Sequence, residues 1–296
     1  MNSAVRTAGS LTDPRVKPED DAGGGRAGVR IWAGLSLDRP RIMGILNVTP
    51  DSFSDGGVWD DPVAAGLAMA RDGADIIDVG GESTRPGAAL VPPEQEQARV
   101  VPVIRRLAEA GIRVSIDSRN ADTMAAALDA GAMIVNDVSA LTYDTRAAAL
   151  VAERDCPVVL MHMRGTPDTM LSLAHYADPV AEVMAELAGR LAAAEQAGIR
   201  RDRIMLDPGI GFAKTADQSL ALLRGLPALG ELGCPLLVGV SRKSFIGHIT
   251  GVEVARDRLP GSLAAALFAV SRGAHVLRVH DVAATSQAFK LWEALR

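Results

Sequence analysis

Aromatic residues and cysteines are scarce in this 296-residue chain, and basic residues are fewer than acidic ones. Aromatic residues make up 3% of the sequence and two residues are cysteine, against 48% in the hydrophobic class. Cys156 and Cys234 are too few for a disulfide framework or a cysteine-rich zinc site, so reduced, buried thiols are expected. The net charge of −5 argues against a general nucleic-acid binder, because such proteins present a basic surface.

Long apolar runs are missing as well. The run at residues 236–240 is among the longest, and it is far shorter than the roughly 20 residues that cross a bilayer as a helix. The N-terminal segment lacks the apolar core of a signal peptide, and its acidic residues do not fit a transit peptide. These absences predict a cytoplasmic protein that binds neither nucleic acid nor membranes.

Residues 1–38 differ from the rest of the chain. Three consecutive glycines at residues 23–25, two prolines and scattered charges give no sustained hydrophobic period, which predicts a flexible N-terminal extension. Within it, residues 31–37 are compatible with a short strand that caps the following domain, with Trp32 as a packing residue. The remaining residues, 39–296, are close to the roughly 250 residues of a single α/β barrel.

From Arg41 onward, short apolar runs alternate with stretches of helical spacing. Continuously apolar runs are typical of parallel strands that are buried on both faces. The stretches between them repeat apolar residues at helical intervals, as at residues 180–191 and 284–295, and a glycine ends most of them. Eight such units predict an α/β fold, a closed (β/α)8 TIM barrel; an open doubly wound sheet is the alternative, but it usually has fewer strands. The predicted strands are residues 42–46, 74–79, 112–116, 132–135, 158–161, 204–206, 236–240 and 276–279.

The carboxyl ends of these runs are polar, and the active sites of such barrels lie at the carboxyl ends of the strands. A single Asp, Asn or Ser there also suits a helix cap or a turn. A whole ring of them costs stability unless a ligand or water satisfies it. Carboxylates and amides suit a flat heterocycle with N–H and carbonyl edges, whereas cations near the last strands suit phosphate. The first group is Asp117, Asn136 and Asp207. The second is Lys243, Arg278 and His280 after the seventh and eighth strands, together with Arg85 after the second.

Two long loops follow the first two predicted strands, at residues 47–57 and 80–87. Loops of this length inside a compact barrel usually bind or cover a ligand. Phe53 in the first loop and Pro86 in the second predict a small apolar slot for a second substrate.

Several of these segments resemble the dihydropteroate synthase family, the folate-pathway enzymes that sulfonamide drugs inhibit. Residues 45–56 and 73–87 resemble the two long signatures of that family. The resemblance covers nearly everything from Arg41 to the C-terminus, and two long signatures with six shorter blocks are far more specific than one short motif. The shorter blocks are residues 115–118, 134–138, 161–163, 207–212, 241–244 and 278–281.

The resemblance implies a pterin-binding transferase. Such an enzyme condenses 6-hydroxymethyl-7,8-dihydropterin diphosphate with p-aminobenzoate to give 7,8-dihydropteroate and pyrophosphate. Mg²⁺ is the implied cofactor and a homodimer the implied assembly. Dissociative loss of pyrophosphate, followed by attack of the aniline nitrogen, fits a site that combines cations with carboxylates.

The resemblance also assigns residues to each part of the ligands. The pterin would be held by Asp117, Asn136, Asp207 and Lys243, with Met161, Gly211 and Phe212 lining its pocket. The pyrophosphate would be met by Asn47, Thr84, Arg85, Arg278 and His280, with Asn47 also holding Mg²⁺. p-Aminobenzoate would lie among Phe53, Pro86, Phe212, Lys243 and Ser244. The candidate catalytic residues are Asp51, Lys243, Arg278 and His280.

Three alternatives remain open at the level of the sequence. A pterin-binding methyltransferase shares the barrel and the pterin contacts, but it has no need of Arg85, Lys243 or Arg278, because no pyrophosphate leaves. A Schiff-base aldolase would use Lys243 to form an imine. A non-catalytic dihydropteroate synthase paralogue would bind a pterin without reaction.

Overall fold

The computed structural model describes residues 30–49, 61–83, 90–166 and 169–296. Within these residues, a two-stranded hairpin is followed by eight parallel strands that form one sheet. The hairpin strands are β1 (Ile31–Trp32) and β2 (Leu35–Ser36). The parallel strands are β3 (Arg41–Asn47), β4 (Ile76–Gly80), β5 (Val114–Asp117), β6 (Ile134–Asp137), β7 (Val158–Met161), β8 (Ile204–Asp207), β9 (Leu237–Val238) and β10 (Val276–Val279).

The sheet closes into a barrel. Consecutive strands pair from β3 through β8, and β10 pairs with both β3 and β9. At the seam between β8 and β9, Leu206 bridges to Leu236 and the Leu206 amide donates to the carbonyl of Pro235 at 2.9 Å. The predicted TIM barrel is therefore confirmed, and each of the eight predicted strands is present. The seventh is shorter than predicted, since the regular pairing of β9 is limited to two residues.

The helices lie outside the barrel. Side chains cap several of their N-termini: Asp178, for example, accepts from the amides of Val180 and Ala181, and Pro179 occupies the first turn, where its missing N–H costs nothing. The described helices are α1 (Pro62–Arg71), α2 (Pro93–Glu109), α3 (Ala121–Asp129), α4 (Ala147–Arg154), α5 (Pro179–Gln196), α6 (Ala216–Arg224), α7 (Leu226–Gly230), α8 (Ser244–Thr250), α9 (Leu259–Ser271) and α10 (Val282–Ala294). Short 3₁₀ turns lie at Met170–Leu173, Arg201–Arg203 and Ala255–Arg258.

Glycines end most of the helix–strand connections, as the sequence predicts. Each of them has a positive φ, between +77° and +111°, which a residue with a Cβ adopts only at a cost. These glycines are Gly73, Gly111, Gly131, Gly198, Gly233 and Gly273.

The helical spacing identifies the buried face of α5 but not that of α10. On α5, Val183, Leu187 and Leu191 are buried as predicted. On α10 the apolar stripe of residues 284–295 does not form the buried face, because Leu291 and, directly after the helix, Leu295 are 62% and 76% exposed. The inner stripe contains small polar residues that permit close packing of the helix. They are Thr285 and Ser286, which lie between Val282 and Phe289.

The amino end of the barrel is filled by apolar side chains that we term the apolar layer: Met43, Ile76, Ile134, Val159, Met205, Leu237 and Val276. All seven are fully buried. Trp32 of the hairpin packs on this layer and donates through Nε1 to the carbonyl of Arg203 at 2.9 Å. The hairpin thus caps the barrel, and the packed chain begins ahead of residue 39, the predicted start of the domain. Residues 1–29 lie outside the described residues.

Among the residues that the structure describes, no helix has both the length and the apolar composition that crossing a bilayer requires.

Candidate active site

Two residues beyond the apolar layer, the same strands carry polar side chains. Side chains two apart on a strand share a face, so the residues two positions after Ile76 and Val276 also face the interior. We term these residues the polar layer: Asp78 on β4, Asn136 on β6, Asp207 on β8 and Arg278 on β10. The polar layer lies toward the carboxyl ends of the strands, where the sequence predicts the active site.

The strand register brings further predicted residues to the same end. Asn47 pairs with Gly80, Gly80 with Asp117, and Asp117 with Asn136, so these four residues lie at one level across β3 to β6. On the other side of the barrel, Met161 pairs with Asp207. The predicted metal ligand and the predicted pterin-binding residues of these strands therefore meet at one edge.

Arg278 joins two carboxylates at the centre of the site. Its Nε donates to Asp78 at 2.6 Å, and a terminal nitrogen donates to Asp117 at 2.5 Å. The amide nitrogen of Asn136 also donates to Asp78, at 3.0 Å. Burial opposes the charge on Arg278, but Asp78 and Asp117 outweigh it and raise the pKa of the guanidinium. Asp78, which is fully buried and is not a predicted site residue, therefore holds two residues that are.

The acidic and basic groups of the site have displaced pKa values. Burial raises the pKa of Asp117 to about 7, against the opposing charge of Arg278. Burial also raises the pKa of Asp207, opposed by Lys243. It lowers the pKa of Lys243 to about 8, opposed by Asp207. Displacements of this kind are common in sites that bind and transform charged ligands.

Lys243 lies against the loop that follows β8. Its ammonium donates to the carbonyl of Ile210 and lies 4.6 Å from the centre of the Phe212 ring. A Cβ on Gly211 would come within 3.3 Å of the Lys243 side chain, and the φ of +79° at Gly211 also favours glycine. The predicted residues Gly211, Phe212 and Lys243 are thus in one place, and Ser244 begins α8 directly after the lysine.

Hydrogen bonds tie the ends of β9 and β10 together. His280 donates its backbone amide to the hydroxyl of Ser241 at 3.2 Å, and its Nδ1 lies 3.0 Å from the same oxygen. Arg242 forms a two-pronged contact with Asp281, at 3.0 and 2.5 Å, while its own backbone has a positive φ of 59°. These contacts fix the backbone on both sides of Lys243 and His280.

Glu82 lies in the second predicted loop and contacts Val91 and Arg119. Its carboxylate accepts from the amide of Val91 at 3.1 Å, and both of its oxygens accept from Arg119, also at 3.1 Å. The guanidinium of Arg119 lies 4.2 Å from the centre of the Tyr143 ring. This buried pair connects the loop to the backbone that follows Asp117.

Some predicted residues lie outside the described residues. They are Asp51, Phe53, Thr84, Arg85 and Pro86. Within the parts of the chain that the structure describes, no group of three or more His, Cys, Asp and Glu side chains is arranged to hold a metal ion. His162 is buried between Lys214 and Glu186.

Comparisons with known proteins agree with this geometry. Residues 43–280 match the pterin binding enzyme family. The chain is 50% identical over 269 residues to a dihydropteroate synthase of Neisseria meningitidis serogroup B, covering 88% of this chain and 94% of that protein. The Xanthomonas albilineans dihydropteroate synthase with 4-aminobenzoic acid superimposes with a TM-score of 0.83 at 51% identity, covering 89% of this chain and 96% of that one. The same enzyme in complex with 7,8-dihydropteroate gives a TM-score of 0.80 at 49% identity, with 88% and 95% covered. The chain therefore belongs to the dihydropteroate synthase family of pterin-binding enzymes.

Proposed function

We propose that this protein is a dihydropteroate synthase. It joins the CH₂ of 6-hydroxymethyl-7,8-dihydropterin diphosphate to the amino nitrogen of p-aminobenzoate, and it releases pyrophosphate. The observation that carries the proposal is the combination, at one end of the barrel, of a carboxylate and amide set with the cations Lys243 and Arg278. A ligand with a heterocyclic end and a diphosphate end matches both halves of this set.

The heterocycle would be recognised by Asp117, Asn136, Asp207 and Lys243. Asn136 uses its amide nitrogen on Asp78, so its amide oxygen is oriented to accept from the ring or amino N–H groups of the pterin. A carboxylate that accepts from two adjacent N–H donors gives bidentate recognition. Met161, Gly211 and Phe212 supply the walls of the pocket.

Arg278 would serve both ends of the ligand. In the structure its guanidinium donates to Asp117, the same carboxylate that the pterin N–H groups would use. Pterin binding therefore competes for that carboxylate, and Arg278, still held at Nε by Asp78, becomes available to the diphosphate. His280, Asn47, Thr84 and Arg85 complete the diphosphate contacts.

Asn47 is proposed as the protein ligand of Mg²⁺. It lies at the carboxyl end of β3, and its amide oxygen is 3.8 Å from the position that a Cβ on Gly80 would take. A single side-chain oxygen fits an ion that takes its other ligands from substrate phosphates and water. When bound, Mg²⁺ would neutralise part of the charge that develops on the departing pyrophosphate.

The reaction would proceed by loss of the leaving group before attack. The C–O bond to the diphosphate breaks, its electron pair leaves with pyrophosphate, and the positive charge spreads into the pterin beside Asp117 and Asp207. Arg278 and His280 stabilise the negative charge that develops on the leaving oxygen. The aniline nitrogen of p-aminobenzoate then donates its lone pair to the carbon and loses a proton. Phe53, Pro86, Phe212, Lys243 and Ser244 would hold p-aminobenzoate, and Asp51 with Lys243 completes the candidate catalytic set.

A cytoplasmic location and a homodimer belong to the same proposal. Both cysteines are free and buried, as expected in a reducing compartment. The last two helices and the residue that follows them expose large apolar side chains: Phe268 on α9 is 38% exposed, Leu291 on α10 is 62% exposed, and Leu295, directly after α10, is 76% exposed. A second copy that covers this surface would bury them. Replacing Leu291 with Asp should then shift the mass in sedimentation experiments from dimer to monomer.

An assay with both substrates tests the activity. We expect 7,8-dihydropteroate, detected by mass spectrometry, and pyrophosphate to form in equal amounts and only when p-aminobenzoate is present. Lys243→Met should remove this activity, while Lys290→Met, at an exposed position on α10, should retain it. A folded wild-type protein that forms no dihydropteroate would contradict the proposal.

A further inference from the structure

Lys214 is a buried lysine that has no part in the reaction as described above. Burial lowers its pKa to about 7, and the charge of Asp207 opposes the shift. Lys214 follows the loop after β8 and is 5% exposed. Its ammonium donates to the carbonyl of Phe212 at 2.8 Å, lies 3.0 Å from Nδ1 of His162 and contacts the carbonyl of His162 at 3.5 Å. Three acceptors for three N–H donors match the capacity of a protonated lysine.

The protonation of His162 agrees with this arrangement. Nδ1 accepts from Lys214, so the proton of a neutral ring resides on Nε2, which lies 2.9 Å from Glu186. Burial lowers the pKa of His162 to about 4, with the neighbouring charge of Lys214 adding to the shift and Glu186 opposing it. A neutral His162 therefore acts as a fixed acceptor between the buried lysine and Glu186 at the surface.

The loop between Asp207 and Lys214 has a backbone that must be held in place. Gly209, Gly211 and Ala213 have φ values of +66°, +79° and +48°. A left-handed alanine is strained, and such strain persists only where surrounding contacts fix it. At Gly209 a Cβ would come within 1.9 Å of the carbonyl of His162, so the loop lies directly against the end of β7.

Two lysines donate hydrogen bonds to different backbone carbonyls of this loop. Lys214 binds the carbonyl of Phe212, whereas Lys243 binds that of Ile210 and lies over the Phe212 ring. Asp207 at the start of the loop is attracted by both ammonium groups. The position of the loop thus determines where Phe212, Lys243 and Asp207 meet a ligand.

We infer that Lys214 is a positioning residue for pterin recognition: it fixes the loop against His162 and thereby sets the geometry of Lys243 and Phe212. The inference rests on the proposed function, since it concerns the pterin half of that site. Lys214 touches neither Arg278 nor His280 in the structure, so the diphosphate half should be independent of it.

Calorimetry with two separate probes tests the inference. In Lys214→Met, the affinity for 6-hydroxymethylpterin should fall about 30-fold, the range expected for the loss of hydrogen bonds to a charged group. The affinity for inorganic pyrophosphate should stay within about twofold, because Lys214 makes no hydrogen bond to Arg278 or His280. Lys290→Met, the exposed control, should change neither affinity.

A double-mutant cycle with Lys243→Met separates positioning from general damage. If Lys214 acts through Lys243, Lys214→Met should cost less than about threefold in pterin affinity when Lys243 is already replaced. Full additivity of the two changes, or equal losses for pterin and pyrophosphate, would overturn the inference.

If Lys214→Met does not fold, Lys214→Gln, which retains an N–H donor, takes its place in the same measurements of pterin and pyrophosphate affinity. If neither variant folds, the role of Lys214 is purely structural and the inference is wrong. A wild-type protein that does not bind 6-hydroxymethylpterin contradicts the proposed function. Wild-type binding with an unchanged affinity in the folded variant contradicts only the inference about Lys214.

Discussion

The two ends of the barrel differ in chemistry although they share the same strands. On β4, Ile76 belongs to the apolar layer and Asp78, two residues later, to the polar layer; on β10, Val276 and Arg278 have the same relation. The apolar layer is sealed by Trp32 and needs only close packing. The polar layer needs partners for its buried charges: Arg278 reaches Asp78 and Asp117 across the barrel, while Asp207 accepts from the amide of Gly209 in the loop that follows it. Stability and recognition are therefore separated along each strand, and each end can be perturbed by itself.

The largest expected effect is on stability, at the amino end. Trp32→Ala removes the indole that packs on the apolar layer and its hydrogen bond to Arg203, so it should lower the free energy of unfolding by about 3–5 kcal/mol. Urea unfolding measures this loss. Ile31→Ala, in the same hairpin but 64% exposed, should have little effect. Pterin affinity in folded Trp32→Ala should match that of the wild type. A loss of affinity would show that the two ends of the barrel are energetically coupled.

The next effect is on recognition, at the carboxyl end. Asp117→Ala removes the carboxylate proposed to accept from the pterin, so pterin affinity should fall about 100-fold in calorimetry. Stability should fall much less than in Trp32→Ala, because Arg278 keeps its contact with Asp78. The matched control is Asp122→Ala, at a residue whose side chain is 56% exposed. An unchanged pterin affinity in Asp117→Ala would remove this residue from the site.

A smaller effect concerns acid stability at the amino end. Burial lowers the pKa of His275 from 6.5 to about 4, with Arg30 adding to the shift, and Nδ1 of the ring accepts from the Leu236 amide at 3.2 Å. The neutral ring favours the fold fully above pH 6.5. Between pH 6.5 and about 4 the unfolded chain binds a proton that the folded chain does not, so stability falls as the pH falls.

His275→Gln, which keeps an acceptor, should therefore flatten the change in urea midpoint between pH 7 and pH 5. The exposed His248→Gln serves as the control. An unchanged slope in His275→Gln would show that the titration of this ring does not contribute. His162, whose pKa burial likewise lowers to about 4, adds to the slope at the carboxyl end, whereas Asp117, whose pKa burial raises to about 7, opposes it.

The smallest effect is expected from removing residues 1–29. The first backbone contact of the hairpin, from the Leu37 amide to the carbonyl of Arg30 at 2.8 Å, remains in such a protein. Turnover and unfolding midpoint should therefore equal those of the full chain within error. A large loss of either would assign a role to the extension beyond that of a tail.

The barrel is predictable from the sequence because its strands are continuous apolar runs with polar ends. The pairing of Arg278 with Asp78 is not, because it joins residues 200 positions apart through a register that exists only once β10 pairs with β3. Lys214 escapes prediction for a similar reason, since its partner His162 lies 52 residues away on another strand end. Local patterns contain no information about such pairings.

The last helix shows where periodicity itself misleads. Residues 284–295 contain an apolar stripe at helical spacing, yet the structure buries Thr285 and Ser286. A Cβ on Gly73 would lie only 2.5 Å from the hydroxyl of Ser286, so the helix packs closely against Gly73 at this point. A side chain as large as leucine at position 286 would not allow this close packing. The close contact of Ser286 with Gly73 places the face of Val282, Ser286 and Phe289 inward, and Leu291 remains exposed.

Hydrogen–deuterium exchange of the full chain, with and without saturating 6-hydroxymethyl-7,8-dihydropterin diphosphate, compares the two ends most directly. The separation of recognition from stability predicts slower exchange at the strand ends and the loop after β8, at residues 115–118, 134–137 and 207–214. It predicts unchanged exchange in the capping hairpin, at residues 31–37. Protection of the hairpin, or none at the strand ends, would contradict the account.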